Sequence, residues 1–304
     1  MDQGIYYGNL WNSQDFPFLS QSLFNSTSTA TNYTVYNQSL ILDSNFHIDF
    51  DKLDEQGIPY LTGTYIAYLI TSNAGLTATF VHIGIDLNAS TGNDGDEGTA
   101  LYTASSKGHL ETVKLLLSHG ADPNARGGRF GNALQVASIH NTPTHTEIAK
   151  VLISQGADVN AQGGSFGNAL QAAATTPTNK ELVRILLEHG ADPNTSHGMF
   201  GHALQAAADG EGNDNIIELL IDHYGADVNL IGGTYGTALQ VASEAGFEST
   251  VLLLLSRGAD PNAPVAGFHG TALQAAAYRG FRRVVEILLE HGADVDGWRS
   301  RFIE

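Results

Sequence analysis

The chain has 304 residues, 32 of them acidic against 14 basic, for a formal net charge of −18, and it contains no cysteine. An acidic surface repels phosphate backbones and anionic headgroups, so nucleic acid and membrane are excluded as expected partners. Without cysteine there is no disulfide, thiolate metal site or thiol nucleophile, and stability must come from packing.

Residues 1–62 form an extension rich in Tyr, Phe, Asn, Ser and Thr. Alternating polarity predicts a short hairpin from the stretches Tyr33 to Tyr36 and Phe46 to Phe50, with Phe46, Ile48 and Phe50 sharing one face. His47, Asp49 and Asp51 take the opposite face, with Asp54 and Glu55 just beyond, and read as a charged, solvated strand face; no metal site or cofactor is expected. The extension is expected to cap the apolar end of the array that follows. The alternative is that its aromatics fold back over that array and close a small-molecule pocket. Met1 to Leu10 lacks the basic start and apolar stretch of a secretory signal, and no apolar run approaches the ~20 residues that span a bilayer. A cytoplasmic protein is the expectation.

From about residue 63 the chain repeats. The string Gly-Ala-Asp-Pro/Val-Asn/Asp begins at Gly120, Gly156, Gly190, Gly225, Gly258 and Gly292, at intervals of 36, 34, 35, 33 and 34 residues. A second string, Ala-Leu, places its leucine at Leu101, Leu134, Leu170, Leu204, Leu239 and Leu273, a nearly constant distance ahead of each glycine. Thr99, Asn132, Asn168, Thr237 and Thr271 precede Ala-Leu as N-caps, with His202 the exception. An alanine-rich first helix follows, ended by glycine at Gly108, Gly246 and Gly280. The second helix carries an apolar stripe, as in Ile148 with Leu152 or Leu182 with Leu186. One helix pair cannot bury that stripe alone, so the units must stack. A glycine-bearing finger, such as Gly127, Gly128 and Gly131, links each unit to the next.

These paired strings resemble the ankyrin repeat, whose pattern is Thr-Pro-Leu-His-x-Ala and then Gly-Ala-Asp-x-Asn. The resemblance implies an all-α repeat solenoid of helix-turn-helix units with β-hairpin fingers: a degenerate first repeat at 63–97, six repeats at 98–298 and a tail at 299–304. Gly84 to Ala89 mirrors the turn at Gly120 to Ala125 and places the degenerate unit. Alanine replaces the family's proline throughout, and Gln135, Gln171, Gln205, Gln240 and Gln274 replace its histidine, a structural position. The variant Gly-Gly-x-aromatic-Gly-x-Ala-Leu-Gln resembles repeats common in filamentous fungi.

Gly163 to Gly167 satisfies Gly-x-Ser-x-Gly, but it lies in a finger and not between a buried strand and a helix, so no nucleophile elbow is expected. The run Asp209, Glu211, Asn213 and Asp214 lacks calcium-loop spacing and reads as a solvated loop. No catalytic residue is assigned. The resemblance implies binding at finger tips and at the concave ends of the first helices, where units differ. Those positions include Arg129, Met199 and Phe268 on fingers, and Lys107, His140, Asp209, Glu244, Tyr278 and Arg279 on helices. An aromatic ladder, Phe130, Phe166, Phe200 and Tyr235 with His269 following, serves either inter-repeat packing or recognition. The function read from the sequence is a scaffold for a protein or peptide partner. The alternative is a small-molecule binder or a cyclase- or isomerase-like enzyme, which requires a closed aromatic-lined cavity of at least ~300 Å³.

Overall fold

The structure, a computed structural model, describes residues 39–43, 46–49, 87–88, 98–264 and 270–295. The chain divides into two compact units, Met1–Asp51 and Lys52–Glu304. In the first, β1 (Ser39–Asp43) and β2 (Phe46–Asp49) pair antiparallel, with Leu40 opposite Ile48 and an irregularity between Ile41 and Asp43. The hairpin expectation placed the second strand but missed the first. Tyr33 to Tyr36 lies outside the described residues, and the partner of β2 is the apolar run Leu40, Ile41 and Leu42, separated from it by Ser44 and Asn45, a two-residue spacing that favours hairpins. Asp51, Asp54 and Glu55 lie outside the described residues.

The second unit is a row of helix pairs: α1 (Ala100–Lys107) with α2 (Leu110–Ser118), α3 (Ala133–Ile139) with α4 (Pro143–Ser154), and α5 (Ala169–Ala174) with α6 (Lys180–Glu188). There follow α7 (Ala203–Ala208) with α8 (Asp214–Glu218), α9 (Ala238–Ala245) with α10 (Glu248–Ser256), and α11 (Ala272–Arg279) with α12 (Arg282–Glu290). First helices pack on first helices and second on second. Residues of α5 and α7 are buried throughout, because Ala-Leu-Gln-Ala-Ala-Ala has too little bulk to hold neighbours apart. Thr99, Asn132, Asn168, Thr237 and Thr271 each accept a backbone N–H of the first turn through the side chain, whereas His202 makes no such bond. Such a cap contributes about 1 kcal/mol. Gly108, Gly246 and Gly280 end their helices with φ of 74°, 80° and 79°, where a side chain would be strained.

The core is the stripe of the second helices. Leu116, Leu152, Leu186, Leu220, Leu254 and Leu288 are each 0% exposed, one from every unit. Truncating any to alanine would cost about 2–5 kcal/mol. The fourth unit carries one residue more between this leucine and its turn glycine: Ala226 N–H donates to Leu220 O, whereas Ala191 N–H donates to Leu186 O. The extra residue is taken up as a π-turn over Leu219–His223, so the leucine keeps its place and only the end of the helix bulges.

Two hydrogen-bond ladders tie the units. In the first five Gly-Ala-Asp turns the aspartate side chain accepts the N–H of the asparagine two residues on, as Asp158 does from Asn160 at 2.9 Å. That asparagine then bridges forward: Asn160 donates to Gly190 O at 2.8 Å and accepts from Asp192 N–H at 2.9 Å. Asn124, Asn194, Asn229 and Asn262 repeat the bridge, so Asn194 spends both amide atoms on it. Asn88 accepts from Asp122 N–H at 2.8 Å, the same step one unit earlier. The second ladder uses the glutamines. Gln135 accepts its own cap's N–H from Asn132 and donates to the carbonyls of Gly163 and Gly167 in the next finger, at 2.8, 3.0 and 3.1 Å. Gln171, Gln205 and Gln240 reach the next finger likewise, in keeping with the structural reading.

Candidate protein-interaction surface

With the repeat backbone fixed by these ladders, the residues that change from unit to unit fall in two rows. On the fingers, Arg129 O accepts from Ser165 N–H at 3.2 Å, Ser165 O from Met199 N–H at 3.1 Å, and Met199 O from Thr234 N–H at 2.9 Å. The finger tips are therefore one continuous strip. Glycine is required inside it: Gly164, Gly198 and Gly233 have φ of 65°, 67° and 62° and lie against the backbones of Phe130, Phe166 and Phe200. Arg129, Met199 and Thr234 point their side chains to solvent.

Three rings of the aromatic ladder stack between units. Phe130 stacks on Phe166 with centroids 5.6 Å apart, and Phe166 on Phe200 at 6.2 Å. Phe200 is 4% exposed, so its neighbours cover the face it would need for a partner. Phe130, Phe166 and Tyr235 are half-buried, and the Arg129 guanidinium sits 5.7 Å from the Phe130 centroid. Phe268 and His269 lie outside the described residues.

The second row is the ends of the first helices. Lys107 closes α1, His140 and Asp209 cap α3 and α7, Glu244 lies in the last turn of α9, and Tyr278 and Arg279 end α11. Tyr278 is 74% exposed. These side chains are electrostatic neighbours along the row. Burial, then His145 and Lys107, lower the pKa of His140. Asp209 is reached by solvent but crowded by protein on its other sides; that desolvation, with the charge of Glu244, raises its pKa to about 6. Arg279 Nε donates to the Glu244 carbonyl at 3.4 Å.

Behind the row lies a position the sequence reading missed. Buried His145 sets Nε2 3.3 Å from Ser106 O in the preceding unit and Nδ1 2.7 Å from the Thr142 hydroxyl. A carbonyl only accepts, so the neutral ring carries its proton on Nε2, and Thr142 donates to Nδ1. Asn179 and Asn213 stand at the same place and donate to Ser138 O and Ala174 O at 3.3 and 3.1 Å. The signal was available: each stands the same number of residues ahead of its turn glycine, once the extra residue of the fourth unit is allowed for. The histidines beside the turns are architectural, since His119, His189 and His291 each place Nδ1 2.8 Å from a carbonyl of their own last helical turn. Ser165 is a finger residue, with Gly163 N–H bonded to Gly167 O at 2.8 Å, and no nucleophile elbow forms.

A depression of about 600 Å³ lies on the second-helix side, between Lys180 and Arg184 of α6 and Glu218 and Asp222 of the next unit. A second, of about 200 Å³, sits among Gly128, Gln135 and Gly164. Neither is walled by the aromatic ladder, and nothing in them supports the enzyme alternative. Among the described residues, no group of three or more His, Cys, Asp or Glu is placed to hold a metal ion. No helix among them is long and apolar enough to cross a membrane.

The family model for ankyrin repeats (3 copies) matches residues 67–163, 128–197, 170–265 and 203–297, together well over half of the chain. The chain belongs to the ankyrin-repeat family. Its fold is similar to that of a crystallised ankyrin repeat domain from Acinetobacter baumannii AYE, 32% identical, covering 64% of this chain and 98% of that one, with a TM-score of 0.52. The ankyrin architecture is that of a protein-interaction scaffold in general. Residues 3–92 match a second model, the OPT oligopeptide transporter protein, which overlaps the start of the ankyrin match. Oligopeptide transporter 7 of Arabidopsis thaliana is 32% identical over 80 residues, 26% of this chain; the chain spans only 10% of that transporter.

Proposed function

We propose that this ankyrin array binds a protein or peptide partner along the finger tips and the first-helix ends, its concave side. One observation carries the reading: at fixed backbone positions the units hold Lys107, His140, Asp209 and Glu244 on helix ends and Arg129, Ser165, Met199 and Thr234 on fingers, while Asn and Gln ladders do the structural work. Variation on a constant frame suits selective recognition, and Tyr278, Arg279 and Met199 supply the aromatic, arginine and methionine side chains enriched at interfaces. Phe200 is left out because its ring is covered.

The proposal keeps residues 63–97 as a further repeat-like unit, supported by the Asn88 bridge to Asp122, and residues 1–62 as an appended segment. Since the chain spans a tenth of the related transporter, transport enters no part of the proposal. A photo-crosslinking residue placed at Met199, Thr234 or Tyr278 should capture the partner, whereas one at Lys114 or Lys150 on the second helices should not. Capture from the second helices alone would overturn the reading.

A further inference from the structure

The two depressions differ in what lines them. The larger, on the second-helix side, carries the carboxylates of Glu188, Glu218 and Asp222. The smaller, about 200 Å³ between the Arg129 and Ser165 fingers, is lined by no acid among the described residues, in a chain of net charge −18. Arg126 lines it, six residues after the turn glycine, where the following units hold Gln162, Ser196 and Ile231. The stacking frame therefore needs no cation at this position. Arg184, Arg257, Arg282 and Arg283 each pair with a carboxylate, whereas the exposed Arg126 pairs with none among the described residues. Asn132 lines the same depression and is only 2% exposed. Its Oδ1 accepts Gln135 N–H at 2.9 Å, but its Nδ2 donates to no group among the described residues. A polar side chain so enclosed is normally fully bonded. The N–H groups of Gly128 and Gly164, also in the lining, have no acceptor among the described residues either. Neither glycine can carry a side chain that would cover them: φ is 78° and 65°, and an added carbon would collide with the Tyr102 ring or the Phe130 backbone.

We propose that this depression takes one carboxylate of the partner peptide, carried at its C-terminus or on an acidic side chain. The inference rests on the reading of the finger strip as part of the binding face and adds the group that the partner sets there. A carboxylate only accepts, and it can take the Arg126 guanidinium and amide N–H groups together in charge-assisted bonds. Sites that enclose a whole small molecule run from about 300 Å³, so this one has room for a chain end or a single side chain. A phosphate would bring about two negative charges to one arginine in a strongly acidic chain. A lysine side chain would face Arg126 and leave every one of these donors unbonded.

The test uses the full chain, isotope-labelled for amide NMR, at about 0.15 M salt, where the Debye length is ~8 Å and the repulsion of anions by the net charge of −18 is screened. Three N-acetylated Gly/Ser peptides of equal length are titrated: a free C-terminal acid, its C-terminal amide, and the amide with one central Glu. N-acetylglycine is the small-molecule comparison. The free acid or the Glu peptide is expected to shift the backbone amides of Gly128 and Gly164 and the side-chain amide of Asn132. It should bind at least about tenfold more tightly than the neutral amide, the discrimination of a ~1.4 kcal/mol difference. The tighter of the two charged peptides identifies where the partner carries its carboxylate. Arg126→Gln should remove the preference and Arg126→Lys restore part of it, with helical circular dichroism unchanged. Equal shifts with charged and neutral peptides, a preference that survives Arg126→Gln, or no shift with any peptide at millimolar concentration would overturn the site. N-acetylglycine binding as tightly as the charged peptides would overturn the partner peptide as its source. Cross-linking from Met199 and Tyr278 would then still decide the binding face, so the two failures are distinguishable.

Discussion

Replacing Gln135 by leucine isolates the finger ladder from the hydrophobic core. The side chain is 3% exposed; its Oε1 accepts Asn132 N–H at 2.8 Å, and its Nε2 faces the carbonyls of Ala161, Gly163 and Gly167 at 3.2, 3.0 and 3.1 Å. Two hydrogens serve three carbonyls, so three bonds are lost, and a buried cap N–H and buried finger carbonyls are left without partners. At about 0.5–1.5 kcal/mol per bond, with orphaned buried groups at the upper end, the loss is about 3–4 kcal/mol. Gln274→Leu is the internal control. Among the described residues its side chain makes one bond, Oε1 accepting Thr271 N–H at 3.0 Å at a half-buried site, and about 1 kcal/mol is expected. In urea, with a slope of about 1–3 kcal/mol/M, the first variant should lower the midpoint by about 1–4 M and the second by about 0.3–1 M, three- to fourfold less at any one slope. Hydrogen exchange should also quicken at Gly163, whose N–H bonds Gly167 O. Equal losses in the two variants, or less than about 1 kcal/mol for Gln135→Leu, would refute the assignment of the glutamine ladder as the clamp between units.

Gly198→Ala should destabilise by more than Gly120→Ala, because both have positive φ, 67° and 90°, but only at Gly198 would the added carbon collide with the Phe166 backbone. The strain common to both is about 1–2 kcal/mol, and comparable thermal midpoints would argue against a close-packed finger strip. Burial lowers the pKa of His145, so folding favours its neutral form; its contribution is whole above about pH 6.5 and falls as the pH drops through the depressed value. His145→Asn, which copies Asn179 and Asn213, should keep the bond to the Ser106 carbonyl and weaken the acid limb of a stability profile; an unaltered acid limb would count against it. Asp209 runs the other way: with its pKa raised to about 6, folding favours the protonated carboxyl, and stability declines as pH rises from the usual carboxylate range to about 6. Asp209→Asn should therefore stabilise at pH 7.5, with the gain fading toward pH 4, and a gain independent of pH would point to a cause other than charge.

The helix pairs were legible because two strings recur in register and the apolar stripe has helical spacing. Leu152 or Leu186 has no other way to leave water. The caps were legible for the same local reason, down to His202, which lacks the short side-chain oxygen that bonds a first turn. The first strand of the hairpin was not: Leu40, Ile41 and Leu42 are an unbroken apolar run, and alternation cannot single it out. The aromatic ladder stayed ambiguous because a ring that stacks on its neighbour and a ring that waits for a partner have the same periodicity. Stacking distances of 5.6 and 6.2 Å show contact among Phe130, Phe166 and Phe200, and only Phe200 is buried by it. His145 was missed because its role is defined by a carbonyl in the preceding unit, 39 residues away.

The surface itself follows from a division of labour that the repeat enforces. The stacked units must satisfy the same backbone groups, and recurring residue types do it: asparagine across five turns and glutamine across four fingers. The glutamines cannot change without orphaning buried groups in two units at once, and the asparagines cannot change without losing an exposed bridge between two turns. Helix ends and finger tips carry no such duty, so their chemistry can differ from unit to unit at little cost to stacking. The fourth unit extends the argument to the backbone, since its extra residue is confined to a π-turn on the second-helix side while Leu220 and the Asn194 to Asp227 bridge keep their places.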